Sequence, residues 1–126
     1  MCINIGTLEP MDNEPLLTIK FFRTLAGNEP VREWLKSLRP EDRTTIGEDI
    51  KTVQFGWPMG MPLVEKIENN LWEVRTTNLS FGIARTFFTI DGNLMILLHC
   101  MAKKSQKIPQ DDLRLVRKRL TQLRGE

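Results

Sequence analysis

The chain has 126 residues, 40% of them hydrophobic and 27% charged, which fits one globular domain and excludes both a disordered chain and two substantial cores. Its longest apolar run, Leu94 to Leu98, is far too short to cross a bilayer, and no cationic start leads into a signal-type apolar stretch. A soluble, cytoplasmic protein is expected. The two cysteines, Cys2 and Cys100, stand in no metal-ligand spacing and fit a reducing compartment. The formal charge of +2 hides an uneven spread, because the last 27 residues hold eight bases against three acids, a local +5. Such a cluster suits a polyanionic partner, although a solvated helix rich in arginine would look the same.

Residues 1–15 show no sustained period and carry two prolines, so they read as a loose arm ahead of a single domain over 16–126, with Met11 an alternative start. Leu16 to Phe22 reads as a first strand of β-branched and aromatic residues. Two short helices follow. Asn28 stands as a cap before Pro30, with Val31, Trp34, Leu35 and Leu38 on one face. Pro40 opens the second helix, whose stripe is Ile46, Ile50 and Val53. The Gly- and Pro-rich segment from Phe55 to Pro62 ends it.

Three strands are then expected. In Leu71 to Arg75 the alternation puts Leu71, Glu73 and Arg75 on one face and Trp72 and Val74 on the other, and Thr76 to Ser80 reads as a turn. Phe81 to Ile90 is the next strand, with Ile83, Arg85 and Phe87 together, and Asp91-Gly92 marks a hairpin. Leu94 to Met101 divides into Leu94, Ile96, Leu98 and Cys100 against Met95, Leu97, His99 and Met101. Both sets are mostly apolar, so this strand should be central and covered on both faces. After Pro109 a closing helix buries Leu113, Val116, Leu120 and Leu123, and Asp111 and Asp112 suit its first turn. The fold class is α+β: strand, helix, helix, three strands, helix, with a twisted and mostly antiparallel sheet.

Phosphate-loop, dinucleotide, HExxH and nucleophile-elbow motifs are all absent from the sequence, and no metal or cofactor is expected. What stands out is a set of bases without a nucleophile. Arg75 and Arg85 interrupt apolar strands and converge on one face if those strands pair, where their planar donor forks match phosphate oxygens. Glu73 offers the plainer alternative of an ion pair. His99, the sole histidine, is either a hydrogen-bonded core residue or a proton-transfer group beside Lys103 and Lys104. Lys107, Arg114, Arg117 and Lys118 are candidates for contacting a nucleic-acid backbone.

Three segments, LWEVR at 71–75, ARTFF at 84–88 and LLHCMAKKSQKIPQDDL at 97–113, follow a strand and two short helices in an order that resembles the HigB-like, phage-associated branch of the RelE/ParE toxin superfamily. The resemblance runs from about Ile19 to Leu120. It implies a type II toxin that cleaves messenger RNA in the ribosomal A site without a metal, through attack of the 2′-hydroxyl on the adjacent phosphate. Arg75, Arg85, His99, Lys103 and Lys104 would then form the catalytic set, with Arg85 removable without unfolding the domain. A helix-turn-helix, HigA-like antitoxin is the implied partner. The alternatives are a ParE-like inhibitor of DNA gyrase and a non-catalytic nucleic-acid-binding protein. Where the family often carries an aromatic residue before its Lys-Lys pair, this chain has Cys100-Met101-Ala102, so base stacking would fall to Phe, Trp or His.

Overall fold

Strand β5 (Leu94–Ala102) carries apolar side chains on both faces, and the architecture is built around it. In the structure, a computed structural model describing residues 15–125, β5 lies between β1 (Thr18–Phe21), which runs parallel to it, and β4 (Gly82–Asp91), which runs antiparallel. Strands β3 (Leu71–Leu79) and β2 (Val64–Glu68) continue the sheet in antiparallel order, giving β1-β5-β4-β3-β2. The arm expected over residues 1–15, with Cys2 and Met11, lies outside the described residues except for Pro15. Among the described residues no helix is long and apolar enough to cross a membrane.

Helices α1 (Pro30–Lys36) and α2 (Pro40–Gly56) cover one face of the sheet. Val31, Ile46, Ile50 and Val53 pack there with Val74, Phe88, Met95 and Leu97. Helix α3 (Gln110–Gly125) covers the other, setting Val116 and Leu120 against Leu71, Phe87, Ile96 and Leu98. Both α1 and α2 begin on proline, which has no N–H to satisfy in a first turn. Asn28 is not the cap of α1: that position is Glu29, and its side chain makes no capping bond. Asp42 in the first turn of α2 is buried and accepts bonds from both the N–H and the hydroxyl of Ser80, which hold its carboxyl below the usual range and tie the β3–β4 turn to the helix.

Three expectations need correction. Strand β2 was not expected, since three of its five residues are charged and it presents no alternating apolar face; such composition suits an edge, which charge protects from further pairing. The segment from Thr76 to Ser80 is not wholly a turn. Strand β3 runs on to Leu79 through an irregularity in its register, where Asn78 takes φ 63°, a left-handed conformation that asparagine tolerates. The alternation of β5 also breaks. Phe88 faces Leu97 while Phe87 faces His99, so Leu98 is an extra residue opposite β4. Leu98 stays with Leu94 and Ile96 against α3, as expected, but past the bulge Cys100 turns to the α1/α2 side and Met101 to the α3 side. The Asp91-Gly92 hairpin is where it was expected, with Gly92 at φ 62°.

The bulge falls where β1 has ended, its last pair being Phe21 with Leu97. There Arg119 reaches back from α3, donates to the Leu98 carbonyl at 2.7 Å and lies over the Phe22 ring at 5.4 Å. Replacing Arg119 by Met keeps much of the aliphatic stem but leaves that carbonyl unmet, and should cost about 1–3 kcal/mol in urea unfolding. Arg114→Ala, which removes only an exposed pair with Asp111, should change stability by less than about 0.5 kcal/mol.

Candidate functional site

Arg75 and Arg85 are direct cross-strand partners on β3 and β4. The alternation that puts Leu71, Glu73 and Arg75 on one face, combined with this register, sets both guanidiniums on the α3 side of the sheet beyond the start of α3. Their surroundings differ. Arg85 is 4% exposed, donates from Nη2 to the carbonyls of Ser105 and Gln106 at 3.1 and 2.8 Å, and holds Glu73 at 3.6 Å through Nη1. Arg75 is half-buried, and its side chain has no hydrogen bond or ion pair among the described residues. Together with Lys103 they line a groove of about 420 Å³, which Glu65, Lys66 and Gln106 also border.

Burial raises the Glu73 carboxyl above its ordinary range, opposed by the charge of Arg85; Glu73 is 2% exposed, and its Oε1 has no hydrogen-bond partner among the described residues. Arg85 Nε is likewise buried without a partner. Burial also lowers the Lys103 ammonium, and repulsion from Arg75 and Arg85 adds to this while Glu73 and Glu65 oppose it. The groove thus keeps three cations together, with one carboxylate beneath them and another on the rim. Polar groups pre-aimed at a site in this way can stabilise charge without reorganising.

His99 and Lys104 do not join this groove. The backbone N–H of Lys103 extends the ladder to Ile83 at 2.7 Å, and the two lysines of the pair line different cavities. Lys104 lies with Trp34, His99, Pro109 and Asp112 in a second cavity of about 570 Å³, beside the part of β5 that has passed the end of β1. His99 Nε2 donates to Asp112 Oδ1 at 2.8 Å, and the ring stacks on Phe87 with centroids 6.0 Å apart. Burial holds its pKa below the ordinary value, against the pull of Asp112. Asp112 is therefore the imidazole's partner as well as a first-turn acid of α3. Cys100 packs on the opposite side, where burial pushes its thiol to about 12.

The four candidate backbone contacts are scattered. Arg117 makes two bonds to Glu68 at 3.1 and 2.8 Å and Arg114 bonds Asp111, whereas Lys118 borders a shallow cavity with Arg119 and Leu25. Lys107 is exposed in the loop before α3, its carbonyl accepting from the Ser105 hydroxyl. Sequence reading passed over Glu65 and Lys66 because β2 itself was not visible in it. Glu65 is the cross-strand partner of Glu73 and so shares its face.

Residues 33–121, which span both cavities, match the phage-derived Gp49-like proteins (DUF891). The chain belongs to the Gp49-like family. Gp49-like proteins are RelE/HigB-type toxins of toxin–antitoxin systems. No curated protein sequence matches the chain.

Within this Gp49-like domain Arg85 is a structural tie as well as a groove cation, so the expectation that it can be removed without unfolding gives way. Arg85→Ala would leave Glu73 buried and uncompensated, at a cost of about 3–5 kcal/mol. Urea unfolding should show that loss, and Glu73→Gln added to Arg85→Ala should recover part of it.

Proposed function

We propose that the protein is the toxin of a type II toxin–antitoxin system, of the HigB-like branch, and that it cleaves messenger RNA in the ribosomal A site. Its inhibitor would be a helix-turn-helix antitoxin of HigA type. The observation that carries the reading is the meeting of Arg75, Arg85 and Lys103 in one groove that, among the described residues, offers no serine, threonine or cysteine nucleophile. RNA supplies its own nucleophile in the 2′-hydroxyl, so a protein that cleaves it needs only to orient the linkage, hold charge on the non-bridging oxygens and move two protons. Membership of a toxin family supports the same reading.

Arg75, whose side chain no described residue engages, would be the clamp. Its guanidinium would hold a non-bridging oxygen, and Arg85, pinned below it, adds fixed positive charge. Trp34 and His99, which line the neighbouring cavity, would contact a base flanking the cut. His99 then serves as a positioning or stacking group, since Asp112 already engages its Nε2.

Induced expression followed by mapping of transcript 5′ ends tests the proposal. Cuts in phase with codons are expected. Intact messages accompanied by DNA damage would replace the reading with gyrase inhibition. Arg75→Ala should lower cleavage about 10²–10³-fold, the size of a lost oxyanion donor, with its thermal unfolding unchanged.

A further inference from the structure

An RNA-cleaving groove needs a proton acceptor, and the imidazole faces another cavity. Two carboxylates lie at this one, Glu65 on its rim and Glu73 beneath it. Glu65 on β2 and Glu73 on β3 are cross-strand partners, with Lys103 and Arg75 close enough to act on the Glu73 charge. Glu73 is sealed under the groove and already serves Arg85. Glu65 is exposed on the rim, and no ion pair or side-chain hydrogen bond engages it among the described residues. We infer that Glu65 is the general base of the groove, accepting the proton of the ribose 2′-hydroxyl, and that Lys103 is its general acid. This rests on the RNA-cleaving reading above.

The step balances. The Glu65 carboxylate takes the 2′-hydroxyl proton as the 2′ oxygen bonds to phosphorus. The bond from phosphorus to the 5′ oxygen breaks, its electron pair leaves with that oxygen, and Lys103 Nζ supplies the proton. The products are a 2′,3′-cyclic phosphate and a 5′-hydroxyl, and water returns the proton from Glu65 to Lys103. Exposed carboxylates are ionised at neutral pH. An ammonium that burial and two guanidiniums make more acidic gives up a proton more readily. The charged groups facing Glu65 are Glu73, Arg75, Arg85, Lys103 and Lys66.

Single-turnover cleavage of messenger RNA on programmed ribosomes by the full chain provides the test, with wild type compared to Glu65→Gln, Glu65→Asp and Lys103→Met across pH. Glu65→Gln should cut about 10²-fold more slowly, with RNA binding unchanged and the acid limb of the pH profile lost, and Glu65→Asp should restore part of the rate. An RNA whose 5′ leaving oxygen is replaced by sulfur needs no general acid, so it should rescue Lys103→Met and leave Glu65→Gln slow. If wild type cuts and Glu65→Gln cuts at the same rate with the same profile, the base assignment is wrong and the endonuclease reading stands. If wild type leaves every RNA intact, both fall together.

Discussion

A guanidinium buried against a sheet must be satisfied by whatever the chain can bring over it, and Arg85 is met from two directions. Glu73 approaches along the neighbouring strand, and the carbonyls of Ser105 and Gln106 come down from the loop after β5. An uncompensated buried charge is among the most costly defects a fold can carry. The loop is therefore fixed over Arg85, and Gln106 and Ile108 become the wall of the groove opposite β2. Arg75, directly across from Arg85, is left beside that wall with no competing partner among the described residues.

The second constraint is the shortness of β1. It pairs with β5 only as far as Leu97, so the last residues of β5 continue with one side unpaired by any described strand. The bulge at Leu98 sits at this boundary, and Arg119 satisfies the carbonyl there. Because the extra residue changes the phase of the strand, His99 turns onto Phe87 and toward Asp112 on α3. A regular strand would have placed it beside Met95 and Leu97 in the α1/α2 core. One irregularity thus turns the histidine toward a cavity separate from the groove.

These two constraints also mark what the sequence discloses. Periodic apolar stripes made α1, α2 and α3 legible, and strict alternation in Leu71 to Arg75, with glycine after Asp91, located β3 and the last hairpin. The convergence of Arg75 and Arg85 followed from the same alternation once the strands paired. A bulge leaves no such trace, since Leu98 and Cys100 are as apolar as their neighbours and the pattern reads equally well without it. Strand β2 was hidden for a related reason: its side chains answer to an exposed edge, so the charges at Glu65, Lys66 and Glu68 imitate a loop. The partners of Arg85 were out of reach because two of them are backbone carbonyls, which any residue supplies.

Charge counting along the sequence pointed to α3 as the positive surface, and the geometry redistributes that charge. Arg117 is bound twice by Glu68 from β2, Arg114 is paired within its own helix, and Arg119 is turned inward. Surface pairs of this kind add little stability, yet each places a carboxylate where a phosphate would otherwise sit. At the end of the sheet the balance is reversed. Arg75, Arg85 and Lys103 share one groove, and the carboxylate closest to them, Glu73, lies beneath it in an ion pair with Arg85. Low-dielectric walls screen such a field less than water screens charges spread along an exposed helix. On α3, Arg117 and Arg119 fasten the helix to the sheet, and the three cations that converge do so on the strands beside it and just past the end of β5.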